Sequence, residues 1–152
     1  MNFLKNIIGF NENNIINDPM FGELKFNNLS SDYWYGKVNF APTGTEIKIY
    51  IFDLQEVVSE QHKQFYRDLE NNFSKIITNT TDLLLKSYTS IGELDRKDVW
   101  RIISLEAVSF PTVKNLLEDN FEWDMYYSCD IKKSTFNIEM ENWQPTDCYV
   151  DT

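Results

Sequence analysis

Phe121-Glu-Trp-Asp-Met-Tyr-Tyr-Ser-Cys129 alternates strictly, with apolar side chains at Phe121, Trp123, Met125, Tyr127 and Cys129 and with Glu122, Asp124, Tyr126 and Ser128 between them. A period of two predicts a strand with one face in a core and the other in water. The wet face carries two carboxylates and a tyrosine but no lysine or arginine, which suits a basic protein partner. Downstream, Thr135 to Met140 repeats the pattern, with Phe136, Ile138 and Met140 set against Asn137 and Glu139. If these strands pair as a hairpin across Asp130-Ile-Lys-Lys-Ser134, then Glu122, Asp124, Glu139 and Glu141 line one acidic patch. Trp143, Tyr126 and Tyr149 lie within or beside it. The plainer alternative is a solvated face whose carboxylates guard against edge-to-edge aggregation.

Working upstream, three strands are predicted in succession: Phe21–Phe26, Tyr33–Phe40 and Thr45–Phe52, the last with Ile47, Ile49 and Ile51 on one face. Pro42-Thr-Gly44 makes a tight connection and Asn27–Asp32 a loop, which reads as an antiparallel meander. Then the period changes. Ser59 is a candidate N-cap, and Phe65, Leu69, Phe73, Ile76 and Ile77 follow at helical spacing, with Lys63, Arg67, Asp68, Glu70 and Lys75 opposite. Thr78-Asn-Thr-Thr81 is a poor helical run. Either the helix breaks there and Asp82 caps a further turn, or tertiary packing carries one helix to Lys86. Asp95 and Asp98 open a short helix by capping, and Ser104–Phe110 is a further strand ending at Pro111. The order of strands, helices and strands predicts the α+β class: an antiparallel sheet, made of an N-terminal three-stranded meander plus C-terminal strands, packed on one long amphipathic helix and a short one. Residues 1–152 form a single domain, with 1–17 a helix or arm and 144–152 a loose tail.

A chain of 152 residues can bury one good core. Aromatics reach 15%, which favours strands and sticky surfaces. The formal charge is −10, and −7 of it falls between Glu118 and Thr152, where nine acidic residues face Lys132 and Lys133. Phosphate recognition needs lysine and arginine, so nucleic acids and anionic membranes are disfavoured while a cationic protein is attracted. The two cysteines, Cys129 and Cys148, make no secretory framework. With no convincing signal peptide and no membrane-length apolar run, a cytoplasmic chain with reduced thiols is expected.

Catalytic signatures are missing. There is one histidine, His62, too few for a multi-His metal site and read as an exposed residue in the first turn of the helix. No phosphate loop, dinucleotide fingerprint or nucleophile elbow occurs. No cofactor and no metal is expected. A small-ligand pocket between helix and sheet and a carboxylate-bound divalent metal are the competing function classes.

Several fragments together resemble a known family. Asp18-Pro-Met-Phe-Gly-Glu-Leu24, Trp34-Tyr-Gly36, Pro42-Thr-Gly44, Glu46-Ile-Lys-Ile49, Val99-Trp100, Leu105-Glu106 and Trp123-Asp-Met-Tyr-Tyr-Ser-Cys-Asp130 occur in the order seen in a bacterial domain family found among immunity proteins of polymorphic toxin systems, including contact-dependent growth inhibition. The chain departs from that pattern after Asp130, where Ile131-Lys-Lys-Ser134 replaces a glycine-containing turn. The resemblance implies a non-catalytic antidote that binds a cognate toxin domain, a basic nuclease being the kind its charge suits. The resemblance assigns no binding residue; the concentration of negative charge in the last quarter does, with Glu122, Asp124, Glu139 and Glu141 expected as charged contacts and Tyr126 or Trp143 as anchors.

Overall fold

The structure, a computed structural model, describes residues 15–27, 32–53 and 58–152. Eight strands form one sheet in sequence order: β1 (Ile15–Asp18), β2 (Gly22–Asn27), β3 (Tyr33–Phe40), β4 (Thr45–Ile51), β5 (Ile103–Phe110), β6 (Glu122–Cys129), β7 (Ser134–Glu141) and β8 (Gln144–Asp151). All neighbours are antiparallel except β4 and β5. Parallel partners need a long crossover, and here it contains α1 (Glu60–Tyr88), a 3₁₀ turn at Arg96–Asp98 and α2 (Val99–Ile102). A short α3 (Val113–Leu117) follows β5. The molecule is thus α+β, but each half is a four-stranded meander rather than the N-terminal half a three-stranded one.

Both added strands lie at the sheet's margins. The tail expected to be loose is β8, paired with β7 from Thr135↔Asp151 to Glu141↔Gln144. Its inward residues, Cys148 and Val150, pack on the core, while Cys148 gives its N–H to Asp147 Oδ1 (2.8 Å) and its C=O accepts from Ser87 of α1 (3.4 Å). Ile15–Asp18, expected to lie in an N-terminal arm and the turn that follows it, pairs with β2; the helix expected nearer the N-terminus falls outside the described residues. Asp18 Oδ1 then closes a turn by accepting the N–H groups of Met20 and Phe21 at 2.8 and 3.0 Å. At Gly36 a Cβ would sit 2.7 Å from the Glu23 carbonyl, so only glycine lets β2 approach β3 there.

α1 runs unbroken through Thr78–Thr81. Thr80 and Thr81 turn their hydroxyls back onto the carbonyls of Ile76 (2.6 Å) and Ile77 (2.7 Å), and Thr81 Oγ1 accepts the Trp100 indole N–H at 3.1 Å. Buried threonines with satisfied hydroxyls make a weak helical run tolerable. Ser59 caps the helix as expected, accepting from His62 N. Asp95 and Asp98 form no side-chain cap, and Asp98 pairs with Arg101 at 3.1 Å instead.

One core lies between α1 and the inner sheet face. Phe65 packs against Phe110, Phe121 and Trp123, while Phe40 meets Phe73 and Tyr88 stacks on Phe136. Cys129 is buried there, and both cysteines are free thiols. At the β6–β7 turn Lys133 takes φ +50°. A left-handed non-glycine residue costs about 1–2 kcal/mol, and glycine's extra unfolded-state entropy about 0.5–1 kcal/mol. Lys133→Gly should therefore raise stability, by up to about 1 kcal/mol, read as a shifted urea midpoint with unchanged slope.

Candidate functional interface

α1 packs on the inner face, and α3 sits at the end of β5 with Asn115 reaching the outer side; among the described residues no helix lies across the outer face of the sheet. Strand alternation fixes what that face displays. β6 turns out Glu122, Asp124, Tyr126 and Ser128, and β7 turns out Thr135, Asn137, Glu139 and Glu141. The register sets Glu122 directly opposite Glu141 and Asp124 directly opposite Glu139, with Tyr126 opposite Asn137. The expected hairpin patch is therefore formed. β8 adds Asp147 beside Glu139 and Tyr149 beside Asn137.

Two like-charged pairs in direct cross-strand contact oppose folding. Burial, then Glu139 and Glu122, push the Asp124 carboxyl above its ordinary value, against a lowering hydrogen bond with Asn137. A depression of about 380 Å³ opens among these groups, walled by Phe52, Ser109, Thr112 and Asn115 as well as the four carboxylates.

Beyond it, the face turns aromatic. Tyr33 stands edge-on to Tyr35 and Tyr50, at 6.0 and 5.6 Å, and tilts against Phe52 at 5.2 Å. Tyr126 lines the adjoining hollow with Tyr50 and Phe52, over a floor of Ala107 and Ser109. These two outward positions of β5 are small and buried because the larger rings on β4 and β6 overhang them. Burial, then Asp124 and Tyr50, raise the Tyr126 phenol.

Trp143 does not belong to this surface, contrary to expectation. It sits at the β7–β8 turn and packs inward, stacked on Phe65 (5.3 Å, 14°) and edge-on to Phe121 and Trp123. Neighbouring Asn142 holds the turn. Its N–H donates to Phe121 O (2.8 Å), its Oδ1 accepts from Phe121 N, and its O accepts from the Trp123 indole (2.6 Å). Phe52, Tyr50, Tyr35 and Tyr149 take the place of Trp143 as exposed or half-buried rings.

His62 is likewise not exposed. It is 1% accessible, with Nε2 donating to Pro111 O at 2.7 Å and lying 3.4 Å from Asp53 Oδ2. Nε2 must carry the proton to meet a carbonyl, so Nδ1 accepts from the Ser59 hydroxyl at 3.0 Å. Asp53 also accepts from Val113 N at 3.2 Å. Ser59, His62 and Asp53 have the residue types of a nucleophilic triad, but Nε2 is spent on a carbonyl and Ser59 on a helix cap. They clamp the exits of β4 and β5 to the starts of α1 and α3. Burial lowers the His62 pKa from its usual 6.5, outweighing the Pro111 bond and Asp53. Because the folded value lies below the unfolded one, the clamp contributes fully above pH 6.5 and weakens as pH falls through the folded value. Unfolding free energies from urea titrations should decline with acidity in that window, and His62→Gln should flatten the decline.

An apolar cleft of about 450 Å³ opens at the margin of α1 where β4 and β5 diverge, lined by Phe73, Ile77, Trp100 and Leu105 with no charged group. Among the described residues no three His, Cys, Asp or Glu side chains are arranged to hold a metal ion, and no helix is long and apolar enough to cross a membrane. Comparison with known proteins gives no match: no family model fits the chain, and no curated protein or solved structure is significantly similar to it.

Proposed function

We propose that this chain is an immunity protein that binds and neutralises a cognate toxin domain through the outer face of its sheet. The observation that carries the reading is the pairing of Glu122 with Glu141 and of Asp124 with Glu139 on a face that no described helix covers. Repulsive pairs weaken the free protein and gain a counterpart when a cationic surface arrives. The adjoining Tyr50, Phe52 and Tyr126 supply the rigid rings that anchor protein interfaces. Neutralisation follows by occlusion of the toxin's active site or substrate surface, and no catalytic step by this chain is required.

The test is isothermal calorimetry with the catalytically inactivated toxin domain encoded beside this gene. One-to-one binding that weakens with added salt is the expected result. No heat at micromolar concentrations would remove the immunity reading.

A further inference from the structure

Carboxylates dominate one half of the outer face; in the other, Glu23, Glu46 and Glu106 also point outward, but one groove there holds three lysines against Glu23 alone. Across the aromatic centre, β2, β3 and β4 display Lys25, Lys37 and Lys48, which line a groove of about 500 Å³ with Tyr33, Tyr35 and Tyr50. Lys37 stands directly opposite Lys48, a like-charged pair of the opposite sign to those on β6 and β7. Lys25 and Lys37 lie 4.0 Å from Glu23 and 3.7 Å from Glu46, pairs open enough to water to exchange readily. Among the described residues Lys48 makes no ion pair.

The groove shares Lys48 and Tyr50 with the central hollow, and the hollow shares Phe52 and Ser109 with the acidic depression. The three form one trough running across the strands. The nearest charges of the two patches, Lys48 on β4 and Asp124 on β6, are two strand steps and two residues apart, or about 12 Å at the usual spacings. That exceeds the screening length of about 8 Å in physiological salt. Salt therefore weakens the attraction between the two patches, and the groove with its three lysines and the depression with its four carboxylates present opposite signs to whatever lies in the trough.

We infer that the lysine half is a second contact for the same partner and reads carboxylates on it, so that the bound surface is dipolar and docks in one orientation. This rests on the binding reading above. A nucleic acid spanning the trough would set its phosphates against Asp124 and Glu139, whereas a protein surface can offer acidic side chains at one end and basic ones at the other. Opposite charges at the two ends reject the reversed pose, where like charges would meet on both sides.

The test is the double variant Lys37→Glu/Lys48→Glu, measured by calorimetry against the same inactivated toxin domain. The substitution replaces one like-charged pair by another, so the melting temperature serves as a check that the fold is retained. It also makes the chain more negative than its formal −10. Overall attraction to a basic partner would then tighten binding, while loss of a local contact with carboxylates weakens it. At least tenfold weaker binding is expected. Affinity that is unchanged or increased, with wild type binding normally, overturns the inference and leaves the acidic half as the whole site. Failure of wild type to bind is a different result, which removes the immunity reading itself.

Discussion

Truncating Phe65 to alanine is expected to cost about 3–5 kcal/mol, the range for a large aromatic removed from a packed core. Phe65 is 2% exposed and its ring centre lies 5.1 Å from those of Phe110 and Trp123 and 5.3 Å from that of Trp143. It therefore joins α1 to the exit of β5, the start of β6 and the β7–β8 turn at once. No single neighbour can fill the space it leaves, because each is tied to a different element. A domain of this size has about 5–15 kcal/mol in total, and the melting temperature should fall by on the order of 10 °C. Trp123 and Trp143 sit in the cluster, so their fluorescence during urea unfolding reads the change directly. A loss below about 1.5 kcal/mol would mean that these rings do not form one packed unit.

The double variant Glu139→Lys/Glu141→Lys should move stability and binding in opposite directions. Each new lysine faces a carboxylate, Asp124 or Glu122, so two repulsive cross-strand pairs become attractive. Exposed pairs are worth about 0.2–1 kcal/mol each, and a stabilisation of up to about 1 kcal/mol is expected after solvent screening. Partner affinity should fall at least a hundredfold, equivalent to about 3 kcal/mol, because the patch loses two negative charges and gains two positive ones. A more stable protein that no longer binds cannot be explained by misfolding. Calorimetry together with thermal denaturation reads both effects, and unchanged affinity would place the interface elsewhere.

The acidic hairpin was legible because two successive strands each kept a period of two and lay next to one another in sequence. The aromatic and lysine half of the same face was not. Tyr33, Tyr35, Lys37, Lys48 and Tyr50 join it only because β5 returns beside β4 after α1, and sequence periodicity does not reveal that adjacency. β8 escaped notice since Gln144-Pro-Thr-Asp-Cys-Tyr-Val-Asp151 is an edge strand with only Cys148 and Val150 packed on the core, too few apolar positions to mark an alternation. Trp143 misled because a turn residue obeys neither strand face, and Asn142 at φ +51° swings it inward. His62 carried a readable signal. With Phe65, Tyr66 and Leu69 it completes an i, i+3, i+4, i+7 stripe, the spacing of a buried helix face, and a polar residue on that stripe had to find partners inside.

The closure of β8 bears on how this chain recognises anything. With Asp147 and Ser87 occupying the backbone of Cys148 midway along the margin, an incoming strand finds no continuous ladder to extend there. At that margin, the recognition proposed above falls to side chains standing on a fixed lattice of strand positions. Backbone pairing accepts almost any sequence, whereas a lattice of side chains accepts only its complement. Specificity written this way can be revised one residue at a time, as outward positions change while their inward neighbours go on holding the core.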